Sequence, residues 1–401
     1  MLTEKLTAKH RFFISMSFLC YVTMAIPYTV HGSLAPVTME LYGITAAQQG
    51  LILTMQSVGS LGAAIFIALK GERYNKIHTI AFGLIIIGVM GAIIGSAPAY
   101  AILLGIVIIV GVGVAFIDIM MNGVVSDVYP TRKTTLLPVV HGFYMVGAML
   151  VPRMVTLIAS PDDPSTFSRP FHVLLVAGLT VGTLYLISGR RIMPETPYVD
   201  MESMKIRVTE NPAEIFKTKT AWFFIVVAFL YFSFQMGVTM WLPTFTIQHT
   251  GADYSTAGLS LTMFFAGNLV MRFMGPIFLR LLSPRMLYSI FGVIAGVVMV
   301  GALFSENIVL MFVLIAAAGF FQGSSVVAFM LMCIDAFPGR TASASAITSL
   351  CVGAANLTAP FWMGAMSAVT DGFLVPLVII CGCLFAASGL VFFLGKRMTG
   401  K

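Results

Sequence analysis

Asp118 is an acidic residue in the middle of a long apolar segment, and a carboxyl group in that setting has few possible roles. The residues before it, 100–117, carry no charge. An ionisable group inside a membrane-spanning segment costs roughly 3 kcal/mol or more, so it tends to mark a site or a pathway. Asn122 follows one helical turn later, where its amide could bind hydroxyl groups or the protonated acid. We interpret Asp118 as a proton-exchanging group; the alternative is an acid neutralised by an arginine of another helix.

Two histidines and two arginines also lie inside apolar segments. His31 and His141 could each donate to a hydroxyl group, titrate, or be satisfied by their packing partners. Arg153 could bind an anionic group of a ligand or pair with a carboxylate such as Glu40. Arg272 lies among glycines, which favours a structural role, although with Arg153 it would also suit an anionic ligand. We retain His31, His141 and Arg153 as candidate binding residues.

Uncharged polar residues lie near the middle of apolar segments in the second half of the chain. An amide in hydrocarbon needs a partner, which either another helix or a ligand can supply. A tryptophan could also stack on a sugar ring and donate its N–H. The residues concerned are Gln235, Trp241, Asn268, Gln322 and Asn356. As a group they predict a polar, uncharged site suited to hydroxylated solutes.

The composition defines the kind of elements that must position these residues. The chain has 401 residues, of which 58% are hydrophobic and 10% charged, against roughly 25% charged residues in soluble domains. This excludes a soluble enzyme, a disordered scaffold and a nucleic-acid-binding protein. Twelve apolar segments are long enough to cross a lipid bilayer as helices. They cover about 12–41, 46–69, 77–96, 100–127, 134–159, 170–189, 220–247, 254–280, 284–304, 308–336, 341–367 and 372–395.

The basic residues predict the orientation of these spans. Of the 23 lysine and arginine residues, 20 fall in the two chain termini or in the connections on the same side of the membrane as the termini. The exceptions are Arg153, Arg169 and Arg272. Basic residues accumulate on the cytoplasmic side of a membrane. We therefore expect an integral protein of the cytoplasmic (inner) membrane with both termini in the cytoplasm.

An internal repeat divides the chain into two similar halves. Shifting the first half by 208 residues places Gly50–Met55 on Gly258–Met263 with five identities in six. The sequence thus predicts two pseudo-symmetric six-helix bundles, residues 1–189 and 220–401, joined by a polar cytoplasmic linker over 190–219.

The same shift relates charged residues at the predicted cytoplasmic helix ends. Asp127 and Arg132 fall on Asp335 and Arg340. We interpret these four residues, with Glu72 and Arg73 joining the first pair, as two related cytoplasmic gate networks; the alternative is ordinary boundary charge.

Two motifs resemble a known family. Residues 71–76 read Gly-Glu-Arg-Tyr-Asn-Lys and resemble the major facilitator superfamily signature, with Asn75 in place of the usual glycine. Both residue types tolerate a left-handed backbone. Asp118 followed by Asn122, with His141 in the next span, resembles the fucose:proton symporters. The resemblance implies the major facilitator fold and a secondary active transporter that moves a sugar or similar polyhydroxylated solute inward with a proton. The sequence differs from the fucose:proton symporters at one position, because Gly32 stands where those symporters place a second acid.

Two other functions remain open at this point. One is an exporter or a carrier of organic anions or sugar acids, using Arg153 and Arg272. The other is a membrane sensor that transports nothing. No metal-ligand spacing, phosphate loop or nucleophile motif is present in the sequence. We therefore expect no enzymatic activity, no cofactor other than a proton gradient as driving force, no nucleic-acid partner, and a monomer.

Overall fold

The computed structural model describes residues 7–70, 74–129, 133–192, 218–336 and 341–399. Their regular secondary structure is α-helical, with a short 3-10 helix over Pro164–Ser168. An isolated β-bridge joins Ser160 and Asp163. The α-helices are α1 Ala8–Ser33, α2 Ala35–Tyr42, α3 Ala46–Lys70, α4 Lys76–Gly95, α5 Tyr100–Val128, α6 Lys133–Ile158, α7 Arg169–Ile192, α8 Lys219–Thr250, α9 Tyr254–Leu281, α10 Pro284–Leu303, α11 Ile308–Gln322, α12 Ser325–Ala336, α13 Thr341–Ser367 and α14 Leu374–Thr399.

The helices follow the predicted spans closely. In the described part of the chain, ten helical segments are long and apolar enough to cross a membrane. Two predicted spans are broken. Residues 12–41 form α1 and α2, because Pro36 at the start of α2 has no N–H to donate and its ring crowds the preceding turn. Residues 308–336 form α11 and α12, which are separated at Gly323.

Side-chain caps fix where several helices begin. The side chains of Asn75, Thr218, Asp253, Ser283 and Asn307 each accept a hydrogen bond from a backbone N–H of the first turn. Asn75 has a φ of −67°. Asn75 therefore does not use the left-handed backbone that asparagine and glycine both tolerate; its side chain caps the start of α4.

Asp253 offers a direct test of this capping. Its carboxylate accepts from the Thr256 hydroxyl at 2.5 Å and from the Thr256 N–H at 3.0 Å, and the hydroxyl bond is the main cause of a pKa below the ordinary value. We expect Asp253→Ala to cost about 1 kcal/mol of stability and to lower the melting temperature of the purified protein. The stabilisation is present above the pKa of the unfolded chain and is lost as pH falls through the lower folded-state value. Asp162→Ala, at another exposed acid, is the control, and equal melting temperatures for the two variants would contradict the capping role.

Contacts divide the chain into two compact units that do not follow chain order. The first comprises Met1–Val30, Met55–Ala148 and Ser165–Glu210. The second comprises His31–Thr54, Met149–Pro164 and Asn211–Lys401. The whole of α2 and parts of α1, α3 and α6 therefore belong with the later helices. The predicted boundaries at 189 and 220 stay a prediction, and most of the predicted linker lies outside the described residues.

The repeat detected in the sequence recurs as equivalent helix crossings inside each unit. In the first unit, a Cβ added at Gly59 would overlap the carbonyl oxygen of Ile108, and one at Gly111 would overlap that of Gln56. In the second unit, Gly267 meets Ala316 and Gly319 meets Phe264 in the same way. All four positions of one crossing map onto the other at the offset of 208. The two crossings therefore share one geometry, in which only glycine allows the backbones to approach so closely.

Candidate functional site

Four polar side chains from three helices form a hydrogen-bonded cluster in the first unit. Asp118 and Asn122 come from α5, His141 from α6 and Tyr21 from α1. The Tyr21 hydroxyl donates to Asp118 Oδ1 at 3.0 Å and lies 3.3 Å from His141 Nε2, which in turn is 2.9 Å from Asn122 Oδ1. We call these residues the Asp118 cluster.

The bonds of Asn122 give the cluster a direction. Asn122 Nδ2 donates to the Asp118 backbone carbonyl at 3.0 Å, which leaves Oδ1 to face the imidazole. An amide oxygen only accepts, so His141 Nε2 carries a hydrogen. That hydrogen is directed at Asn122 and is also close to the Tyr21 oxygen. A continuous path of exchangeable hydrogens therefore runs from His141 through the Tyr21 hydroxyl to Asp118.

Burial differs across the cluster. Tyr21 is fully buried, and its ring lies 4.8 Å from that of His141. Asp118, Asn122 and His141 are half-buried. Close approach of α6 to α1 is possible at Gly147, where a Cβ would crowd the Val22 carbonyl oxygen. The Asp118 carboxyl group is therefore hydrogen-bonded to a buried phenol, while the Asp118, Asn122 and His141 side chains remain partly exposed.

Sequence reasoning found three members of this cluster and missed the fourth. Asp118, Asn122 and His141 stood out because each is polar in an apolar segment. Tyr21 resembles an ordinary core aromatic residue, and no spacing in the sequence points to it. His31 is not brought to this cluster: it is buried within the second unit, where its backbone carbonyl accepts from Gln49 Nε2 at 3.2 Å.

A second polar network links three helices of the second unit. Asn268 of α9 donates through Nδ2 to Gln322 Oε1 of α11 at 2.5 Å, and Gln322 Nε2 donates to Gln235 Oε1 of α8 at 2.5 Å and to the Tyr231 hydroxyl. Arg272 Nε reaches Asn268 Oδ1 at 3.4 Å. Three of the predicted polar residues are therefore joined to each other, with Tyr231 and Arg272 at the two ends of the network.

The remaining predicted binding residues are engaged elsewhere in the second unit. Trp241 is fully buried, donates Nε1–H to the Pro360 carbonyl at 3.1 Å, and stacks on Phe373 with ring centroids 4.3 Å apart. Asn356 is buried, and its Oδ1 has no hydrogen-bond partner among the described residues. Their predicted contacts with a solute stay predictions.

Arg153 is held by a neutral partner. Its Nη1 donates to the Ser255 carbonyl at 2.8 Å and to the Ser255 hydroxyl at 2.6 Å. Within the described residues, the alternative pairing with Glu40 is not formed.

The predicted cytoplasmic gate falls mostly outside the described residues. This applies to Glu72, Arg73, Arg132 and Arg340, and to the side chain of Asp127. Asp335 is exposed next to the last residue of α12.

An all-helical chain with many membrane-crossing helices, a duplicated crossing and partly buried ionisable groups has the organisation of a membrane transport protein. The sequence profile of the Major Facilitator Superfamily matches residues 17–280. The chain belongs to this superfamily and is a membrane transporter with its all-helical fold.

Two curated relatives are similar to part of the chain. The high-affinity glucose transporter ght2 of Schizosaccharomyces pombe is 22% identical over 187 residues, which are 45% of this chain and 34% of that protein. The nitrite extrusion protein of Bacillus subtilis is 25% identical over 198 residues, which are 49% of this chain and 46% of that protein. The chain thus aligns with less than half the length of either relative.

Solved structures agree in fold over almost the whole chain. A bacterial homologue of the human lysosomal transporter Spinster, in an inward-facing and occupied conformation, has a TM-score of 0.81 at 16% identity, covering 98% of both chains. A D-xylose-proton symporter has a TM-score of 0.76 at 15% identity, covering 98% of this chain and 99% of that chain. Identities this low establish the shared fold alone.

Proposed function

We propose that this transporter is a proton-coupled symporter of a small polyhydroxylated solute, driven inward by the proton gradient without another cofactor. The observation that carries the proposal is the Asp118 cluster, in which a carboxylate, a phenol and an imidazole share hydrogen bonds. The basic residues favour the cytoplasmic membrane, with both termini inside.

Protonation of Asp118 would rearrange the bonds around it. As a carboxylate, Asp118 only accepts, and the Tyr21 hydroxyl donates to it. Once protonated, the acid becomes a donor and no longer requires the Tyr21 hydrogen. Tyr21 can then turn its hydrogen to another acceptor, such as a solute oxygen. A solute that binds the protonated arrangement better than the charged one is thereby coupled to the proton, because only differential affinity shifts an equilibrium.

The half-buried members of the cluster fit a solute rich in hydroxyl groups. Asn122 and His141 supply amide and imidazole groups that can donate to or accept from a hydroxyl. Considered by itself, the second unit also carries uncharged donors and acceptors, in the amide network of Gln235, Asn268 and Gln322. A relative described as a glucose transporter and a similar fold described as a D-xylose-proton symporter also favour a sugar.

A carrier or exporter of small anions is the second candidate. It is favoured by Arg272, which reaches the buried amide network through Asn268, and by the relative described as a nitrite extrusion protein. Arg153 contributes less to this candidate because its guanidinium already donates to Ser255.

Uptake into proteoliposomes that contain only this protein tests the proposal. Radiolabelled D-glucose, D-xylose and L-fucose are offered with an acidic exterior, and each is competed with the corresponding sugar acid and with nitrite. We expect accumulation of at least one sugar that a protonophore abolishes. Accumulation insensitive to the protonophore would contradict the coupling. Competition by the anions alone would favour the anion carrier, and absence of uptake of all three sugars would contradict the proposed sugar symport.

A further inference from the structure

Two helix crossings of the second unit, near the predicted outer ends of their helices, are equivalent in the repeat. The start of α3 crosses α13, and the start of α9 crosses α6. At the offset of 208, Gly50 corresponds to Gly258 and Gly364 corresponds to Thr156. Both equivalent positions make close contacts: a Cβ at Gly364 would overlap the Ala46 carbonyl of α3, and one at Gly258 would crowd the Thr156 side chain of α6. All of these residues lie within the second unit.

The α3–α13 crossing is held mainly by close packing. A Cβ at Gly50 would overlap the carbonyl oxygen of Pro360, so the backbones are in direct contact. The Thr54 hydroxyl donates to the Leu357 carbonyl at 2.9 Å further along the same helices. No charged side chain takes part in these contacts between the described residues.

The α6–α9 crossing differs because it carries a cation. Arg153 of α6 donates twice to Ser255 of α9, at 2.8 and 2.6 Å. The Tyr254 hydroxyl donates to the Ser33 carbonyl of α1 at 2.6 Å. In the equivalent α3–α13 crossing, Phe361 and Ala47 stand in place of Arg153 and Ser255. The polar connection is therefore an addition to one of two otherwise matched crossings.

The chemistry of the Arg153 bonds suits a contact that is made and broken repeatedly. Charge-assisted hydrogen bonds are stronger than neutral ones. Ser255 is neutral, so separation of the pair leaves no opposite charge unpaired in a buried position. Arg153 is half-buried, which shortens the path of its guanidinium to water after release. An arginine bound to a buried carboxylate would be far harder to release.

We propose that Arg153 and Tyr254 form a latch that holds this end of the transporter closed and releases to admit solute. The distribution of basic residues places this end on the outer side of the membrane. This inference rests on one part of the proposed function, namely that the chain is a carrier whose outer end opens. It assigns Arg153 to gating and not to binding of the solute.

Cysteine accessibility tests the latch without any solute. Thr156 is buried at the α6–α9 crossing, where its side chain meets Gly258, and a cysteine there becomes accessible when the crossing separates. Thr156→Cys is introduced into the full chain after its native cysteines are replaced by serine or alanine. Labelling by a membrane-impermeant maleimide is then followed from outside. Arg153→Gln is compared with Arg169→Gln, which removes an exposed arginine of the other unit, and Tyr254→Phe with the exposed Tyr74→Phe.

We expect Arg153→Gln to raise the labelling rate roughly tenfold, which corresponds to a shift of about 1.4 kcal/mol toward the open form. Tyr254→Phe should raise it by a smaller factor because it removes a neutral bond. Equal rates for each variant and its control would overturn the latch. If Arg153→Gln does not fold, Tyr254→Phe decides the question in the same way. Because labelling requires neither proton nor solute, a failure of the proposed symport leaves this result unaffected.

Discussion

Asp118→Asn is expected to abolish proton-driven accumulation of the solute while leaving solute exchange across the membrane intact. Asparagine has almost the same shape as aspartic acid but binds no exchangeable proton. Each unit of pH difference supplies about 1.4 kcal/mol, so wild-type protein coupled to one proton can sustain roughly tenfold accumulation per unit. The variant should reach an inside-to-outside ratio of about one. Accumulation and solute-dependent pH change in proteoliposomes measure both effects.

Exchange should persist in this variant because its amide can donate a hydrogen bond as the protonated acid does. Asp371→Asn is the matched control. Asp371 is an exposed turn residue with a φ of 52°, a backbone conformation that asparagine also adopts readily. We expect full proton-driven accumulation from the control. If Asp118→Asn still accumulated solute and took up protons at the wild-type level, Asp118 would not be the coupling group.

Gly319→Ala is expected to be strongly destabilising although it adds only a single methyl group to the second unit. The new Cβ would overlap the carbonyl oxygen of Phe264, and neither backbone can move aside without separating α9 from α11. Overpacking of this kind costs about 1–3 kcal/mol and sometimes more. The variant should therefore have a lower melting temperature and a lower yield of folded protein than the wild type. Gly111→Ala, at the equivalent position of the first unit, should behave similarly.

Gly382→Ala separates packing from helix propensity in this experiment. Gly382 is exposed on α14, and a Cβ there would have no neighbour within 4 Å. The control should be neutral or slightly stabilising, since alanine is the better helix former. A melting temperature of Gly319→Ala equal to that of the control would contradict the proposed close contact.

The fold could be predicted well because membrane-spanning helices are recognisable from their apolar composition alone. Long apolar segments, and glycines repeated at a fixed offset, sufficed for the spans and the internal repeat. The break between α1 and α2 was missed because proline can also be tolerated inside a helix, as Pro27 is in α1. Whether proline interrupts a particular helix depends on the packing around it.

The candidate site was predictable only where a residue contrasts with its neighbours in the chain. Asp118 and His141 contrast strongly with the apolar residues around them, and they do share a cluster. Tyr21 does not contrast, since a phenol is common in apolar helices. The Ser255 partner of Arg153 lies 102 positions away in sequence, and nothing local indicates which hydroxyl a long guanidinium will reach.

The duplicated crossings have a consequence for the proposed coupling group. At the offset that superposes them, Asp118, Asn122 and His141 correspond to Val326, Met330 and Ser349. The two halves therefore share their helix crossings, whereas Asp118 and His141 have no ionisable counterpart at the equivalent positions of the second half. In the proposed symport, proton binding is thus an asymmetric property of a symmetric scaffold.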